Sequence, residues 1–93
     1  MTRVLLRSTA FARVAIRLLK RSPEMTAPLH AALRQLADDA FHPLLKTHKL
    51  KGELSGSWAC RVAYDLRIVF QFVQHDGAEA ILLQSIGTHD DVY

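Results

Sequence analysis

The spacing of the hydrophobic residues changes near Gly52, and this change constrains the fold of the chain more than any other feature. Residues 11–19 and 29–40 show the three-to-four-residue spacing of amphipathic helices. Residues 58–86 instead alternate apolar and polar side chains, as β-strands do when one face is buried. Helices followed by a run of strands are typical of α+β proteins.

Local signals set the expected boundaries. The apolar run Val4–Leu6 predicts a short strand, and Ser8 has the side chain of a helix N-cap. Ser22-Pro23 ends the first helix, because a residue before proline avoids helical geometry. Pro28 is tolerated only in the first turn of the second helix. Residues 41–50 follow neither period, so we expect a loop there.

Three strands are expected in the second half of the chain, over residues 58–64, 66–72 and 80–86. Asp76-Gly77 is a strong hairpin-turn signal between the last two. The predicted order is therefore β-α-α-β-β-β, an antiparallel sheet with two helices packed on one face. Arg61 and Arg67 alternate with the apolar residues of their strands, so both should lie on the other face. They predict an anion site there, or are simply solvated.

A length of 93 residues allows one domain, which we expect to span residues 1–93. Residues 1–51 contain ten of the twelve Lys and Arg and three acidic residues, a net charge of +7, whereas residues 52–93 carry −4. The basic half indicates a polyanionic partner, such as nucleic acid, or an acidic protein. A solvated helix face would look the same.

The single cysteine, Cys60, excludes an intramolecular disulfide and a cysteine-based zinc site. Arginines interrupt the N-terminal apolar run, so it does not fit a secretory signal. No run approaches the roughly 18 apolar residues of a membrane span. We therefore expect a cytoplasmic protein without a membrane partner.

Two motifs carry a family resemblance. Residues 48–70, HKLKGELSGSWACRVAYDLRIVF, resemble the H-x-L-x-G…L-x-G-x-W-x-x-R-V…D-x-R-I-V-F pattern of RelE/ParE-superfamily toxins. Residues 87–93, GTHDDVY, resemble the G-T-H-x-x-x-F/Y ending of the YafQ-like branch. The resemblance implies the toxin of a type II toxin–antitoxin system that cleaves mRNA in the ribosomal A site. It also implies a cognate antitoxin as partner, with the 70S ribosome and mRNA, and no metal or cofactor.

In such a reaction the RNA's own 2′-OH attacks the adjacent phosphorus. A base must accept its proton, an acid must protonate the leaving 5′-oxygen, and cations must stabilise the phosphorane. Histidine suits both proton roles, because its ordinary pKa is about 6.5. By resemblance, His48 stands at the position of the base and His89 at that of the acid. Arg67 would stabilise the transition state and Arg61 would help to hold the phosphate.

The resemblance extends to further residues. Asp65 matches an acidic position that could orient a histidine, although it is also a plausible turn residue. Tyr93 matches a C-terminal aromatic that would stack on a base. The RNA backbone would be bound by Lys46, Lys49 and Lys51. Tyr64 departs from the pattern, because relatives often have a histidine there; it could act as a hydrogen-bond donor.

Two alternatives remain open. A ParE-like toxin would poison DNA gyrase without cutting RNA, but that branch lacks the paired histidines His48 and His89. A metal could be bound by His89, Asp90 and Asp91 with His48, but their spacing matches no known ligand pattern.

Overall fold

The computed structural model of the protein describes residues 2–88. His89 and Tyr93, both expected at the site, lie outside the described residues. The helices and strands of the described part, in chain order, are β1 Leu5–Arg7, α1 Thr9–Arg21, α2 Thr26–Asp38, β2 His48–Lys49, β3 Trp58–Ala63, β4 Leu66–His75 and β5 Ala78–Gly87. Three short 3₁₀ turns, Pro23–Met25, Pro43–Leu45 and Gly52–Leu54, connect them.

The first helix begins and ends where the sequence predicts. The Ser8 hydroxyl accepts a hydrogen bond from the Phe11 N–H at 3.0 Å, which caps the start of α1. The helix ends at Arg21, one residue before Ser22-Pro23. A 3₁₀ turn then leads directly into α2, so the two helices are joined by a short connection.

Five strands form one sheet in the order β1-β5-β4-β3-β2. Three of the four strand pairings are antiparallel, but β1 pairs with β5 in parallel, so the sheet is mixed. The α+β class with two helices on one face is confirmed, whereas an antiparallel arrangement throughout is not. A parallel pair needs a long connection, and the helices and the other strands between β1 and β5 supply it.

The expected loop over residues 41–50 contains more structure than predicted. Pro43–Leu45 forms a 3₁₀ turn, and β2 adds two residues to the sheet edge by pairing His48 with Ala59 and Lys49 with Trp58. A two-residue strand has no periodicity to detect, and this explains why the sequence prediction missed it.

The two hairpin turns place the long strands. Asp76 and Gly77 both have positive φ, 50° and 79°, the type I′ geometry that the Asp-Gly pair predicted. Tyr64 and Asp65 form the turn between β3 and β4, with Ala63 and Leu66 as the last paired residues.

The main core lies between the helices and one face of the sheet, which we call the covered face. Phe11 and Leu36 of the helices pack there against Ile68, Phe70 and Ile81 of the sheet, all at most 3% exposed. Burying a side chain of this size contributes about 1.5–3 kcal/mol. Along β4 this face follows the alternation predicted from the sequence. On β5 the prediction fails, because a β-bulge between Leu83 and Ser85 shifts the alternation by one residue and Ile81, Leu83 and Ile86 are the buried set.

The opposite face, which we call the open face, is only partly open. Ala59 and Val69 point to that side and are nevertheless 0% and 3% exposed, because Leu50 and Leu54 pack over them. The segment that carries these two leucines thus covers the middle of the face. The end near the β3–β4 turn, where Arg61 and Arg67 lie, is beyond Leu50 and Leu54, and both arginines are partly exposed. Arg61 also borders a cavity lined by α2 and by Leu44 and Leu45.

Within residues 2–88, neither helix is long and apolar enough to cross a membrane.

Candidate functional site

The strand register brings two arginines together. Arg61 of β3 is paired with Arg67 of β4, and Arg67 is paired with Gly87 of β5. Directly opposed residues of an antiparallel pair share a face, with Cβ atoms about 4.5–5.5 Å apart. Two like charges so placed repel each other, so the pair would be favoured by an anion between them.

His48 lies on the same face. It is paired with Ala59, which is two residues from Arg61 and therefore projects to the same side of the sheet. Two residues along a strand span about 7 Å. His48, Arg61 and Arg67 thus occupy neighbouring rows of the open face, although His48 and Arg61 are 13 positions apart in the sequence.

A backbone contact sets the tautomer of His48. Its Nδ1 lies 2.9 Å from the carbonyl oxygen of Lys46. Because a carbonyl can only accept, Nδ1 donates the proton and the neutral ring carries its lone pair on Nε2. Lys46 has a positive φ of 50°, and in this left-handed conformation the carbonyl oxygen of Lys46 itself lies against the His48 ring.

A second histidine on the same segment has the opposite tautomer. The Nδ1 atom of His42 accepts a hydrogen bond from the Leu44 N–H at 3.1 Å, so its proton is on Nε2. His42 thereby caps the 3₁₀ turn that begins at Pro43. Its lone pair is used for the fold, and this agrees with its place outside the sequence motifs.

Arg67 is tied to the β3–β4 turn. Its Nη1 donates to the carbonyl oxygens of Ala63, Tyr64 and Leu66 at 3.2, 3.3 and 3.4 Å. The guanidinium therefore lies at the turn end of the open face, next to Asp65, which is exposed within the turn. Between described residues, the salt bridges are Arg3–Glu79 and His75–Asp76, and neither involves Arg61 or Arg67.

The three predicted RNA-binding lysines are not brought together. Lys46 and Lys51 are exposed on the segments that flank β2. Lys49 is paired with Trp58 and projects to the other side of the sheet from His48, with its ammonium 5.4 Å from the Trp58 ring centroid. Lys49 is thus separated by the sheet from the row that contains the two arginines.

A polar contact that the sequence did not indicate fixes the segment over the open face. The hydroxyl of Ser57, which is only 5% exposed, donates to the side-chain oxygen of Gln84 at 2.8 Å. Gln84 is the extra residue of a β-bulge in β5, and its backbone carbonyl accepts from the Ser8 hydroxyl. Buried Ser57 therefore links the segment that follows His48 to β5, the strand on the other side of β4.

The described residues contain no group of three histidine, cysteine or acidic side chains that could hold a metal ion. The alternative metal site rests on His89, Asp90 and Asp91, which are outside the described residues. The thiol of Cys60 lies in the covered face, where burial raises its pKa to about 12, an effect opposed by a backbone hydrogen bond from Ile68 and by the charge of Arg67. Cys60 is therefore a neutral core residue.

Known structures share this fold. YafQ from E. coli aligns with a TM-score of 0.78 at 18% identity, covering 98% of each chain. The YoeB/ParE toxin from Agrobacterium tumefaciens aligns with a TM-score of 0.77 at 17% identity, covering 92% of this chain and 98% of that one. The E. coli DinJ–YafQ complex gives 0.76 at 19%, with 98% of each chain covered. The fold is therefore that of the YafQ- and YoeB/ParE-type toxins.

The family can be stated more narrowly. The YafQ family, bacterial toxins of type II toxin–antitoxin systems, matches residues 3–93. The chain belongs to this family, and the resemblance seen in residues 48–70 is confirmed. A search of curated protein sequences finds no match.

Proposed function

We propose that this toxin is a ribosome-dependent mRNA endoribonuclease that cleaves without a metal ion. The observation that carries the proposal is the placement of His48 on one sheet face with Arg61 and Arg67, in a member of the YafQ toxin family. The Nδ1 contact of His48 leaves the imidazole lone pair on Nε2, the atom that a base would use.

In the proposed reaction, Nε2 of His48 accepts the proton of a ribose 2′-OH, and the oxygen attacks the adjacent phosphorus. The negative charge that develops on the phosphorane oxygens is stabilised by Arg67 and Arg61. The bond to the 5′-oxygen breaks as that oxygen takes up a proton from an acid. The products are a 2′,3′-cyclic phosphate and a 5′-hydroxyl, so no water, metal or cofactor is consumed.

For the acid we propose His89, with Asp65 orienting a histidine and Tyr93 stacking on a base. Their support is the sequence motif. Gly87, the last residue of β5, is paired with Arg67, and Arg67 with Arg61; we call this line of residues across the sheet the arginine row. His89 follows Gly87 by two residues in the sequence.

The proposed partners are a cognate antitoxin, the 70S ribosome and mRNA, met in the cytoplasm. The DinJ–YafQ complex of E. coli, whose toxin shares this fold, supports the antitoxin. Lys46 and Lys51 on the edge beside His48, and the basic residues of α1, would contact RNA backbone. Because Lys49 faces the other side of the sheet, its RNA contact would be to a different segment.

The test is primer extension on cellular mRNA after induction of the toxin. We expect codon-associated cuts with the wild-type protein and a loss of about 10²–10⁴-fold in cleavage rate for His48→Ala. His42→Ala is the matched control, because His42 lies on the same segment with its lone pair used in a capping bond. Equal loss in both variants, or undiminished cleavage by His48→Ala, would reject His48 as the base.

The same experiment separates the gyrase alternative. DNA breaks and a DNA-damage response without cuts in mRNA would favour a ParE-like poison. Arg67→Ala adds an independent measure of the site, with an expected loss of about 10²–10³-fold in cleavage rate.

A further inference from the structure

Within residues 2–88, Tyr64 is the most exposed of the large hydrophobic side chains, at 87%. The other rings near it in sequence are used in packing, because Phe72 contacts Trp58 and Phe70 at centroid distances of 5.6 and 5.4 Å. Turn positions favour Gly, Asn, Asp, Ser and Pro, so the β3–β4 turn does not need a tyrosine. The fold therefore gives no reason for this ring.

The backbone beneath the ring is held in place. Arg67 donates to the Tyr64 carbonyl at 3.3 Å and also to those of Ala63 and Leu66, so the guanidinium fixes the turn from within the arginine row. Only the two side-chain torsions of Tyr64 remain to be ordered by a ligand. An aromatic ring with two torsions loses little conformational entropy when it is bound.

The surroundings match the requirements of single-stranded RNA. Proteins that bind a single strand combine cations along the phosphate backbone with aromatic rings on which the bases stack. Arg61 and Arg67 supply the cations, and Tyr64 supplies a ring at the end of the same row. Leu44, which is 76% exposed and lines a cavity together with Arg61, offers no π-face.

We propose that the ring of Tyr64 stacks on the nucleobase next to the phosphate held by Arg61 and Arg67. This proposal rests on the proposed function and assigns a residue that positions the substrate. The face of the aromatic ring makes the contact with the base, and the hydroxyl is not required for it. Tyr64 thus differs from a proton donor, the other role that its chemistry allows.

The experiment uses purified 70S ribosomes programmed with a defined mRNA, and it measures kcat and KM for cleavage by purified toxin. Tyr64→Ala should lower kcat/KM by about 5- to 150-fold, mostly through KM, because stacking stabilises bound substrate and transition state alike. Tyr64→Phe should retain wild-type values. Val4→Ala, an exposed control next to β1 at the opposite edge of the sheet, should also be unchanged, and circular dichroism confirms folding of each variant.

Substitution of single abasic ribonucleotides in the mRNA identifies the stacked base. At one position, an abasic site should slow cleavage by the wild-type toxin but should not further slow cleavage by Tyr64→Ala. Wild-type kinetics for Tyr64→Ala, or equal losses in Tyr64→Phe and Tyr64→Ala, would overturn the stacking role while the cuts persist. Absence of any cut by the wild-type toxin would instead overturn the proposed function, and the stacking role with it.

Discussion

Residues on the two faces of the sheet are buried by different parts of the chain, and their burial has different consequences. On the covered face, Phe70 and Ile81 are fully buried against both helices as part of one continuous core. On the open face, burial is confined to Ala59 and Val69 beneath the segment that carries Leu50 and Leu54. The first face contributes most of the stability, whereas the second holds a short segment in position and leaves the arginine row accessible.

Neighbours on β4 show the difference most directly. Ile68 and Val69 are adjacent and are 0% and 3% exposed, but they point to opposite faces. Ile68 is buried by helices, and Val69 by a segment with one 3₁₀ turn. Equal burial therefore does not imply equal contribution, because a short segment can open locally at a smaller free-energy cost than the whole fold. Stability and activity should accordingly respond to different substitutions.

The largest expected effect is on the covered face. Phe70→Ala removes a fully buried ring and should lower the free energy of unfolding by about 3–5 kcal/mol, a large part of the total for a domain of this size. Urea denaturation followed by circular dichroism measures it. Phe41→Ala, at a ring that is 53% exposed, should cost much less. Similar losses in both variants would contradict the assignment of the core.

An intermediate effect is expected from pH. Burial raises the pKa of Cys60 to about 12 from 9.0, so above pH 9 the unfolded chain releases a proton that the folded protein keeps. The free energy of unfolding should therefore fall as pH rises, by up to about 1.4 kcal/mol per pH unit between 9 and 12. Denaturation curves at pH 8, 9 and 10 test this. A Cys60→Ala variant with the same pH dependence would show that other groups cause it.

The smallest effect on stability is expected on the open face. Leu54→Ala should change the free energy of unfolding by about 1 kcal/mol or less, because the segment it holds can open by itself. The amide of Leu50, which donates to the Ser57 carbonyl at 3.0 Å, should exchange about tenfold faster. The proposed RNA cleavage should slow as the segment beside His48 loosens. Unchanged exchange at Leu50 would mean that the leucines do not hold this segment.

Local signals predicted most of the fold. The Asp76-Gly77 turn, the Ser8 cap and the alternation along β4 each depend on residues close in sequence, and all three are observed. The parallel pairing of β1 with β5 could not be predicted in this way. It pairs Leu5 with Ile81, and no local sequence signal in either segment identifies the other as its pairing partner.

The positions of the proposed site residues in the sheet could be predicted only in part. Alternation placed Arg61 and Arg67 on one face, and the register confirms that they are directly opposed. The side of the sheet on which Lys49 lies could not be deduced, because β2 was expected to be a loop. The tautomer of His48 depends on a carbonyl set by the left-handed conformation of Lys46, an unusual position for a lysine.

The position of β5 has a consequence for how the chain folds as it is synthesised. This strand is made last of the five, yet it lies between β1 and β4 and pairs with both. β1 and both helices therefore cannot complete the sheet and its core until residues 78–87 have been synthesised. Contacts between residues so distant in sequence also form slowly. A nascent chain that lacks these residues has neither the complete core nor the pairing of Arg67 with Gly87. The toxin fold thus becomes available only late in synthesis.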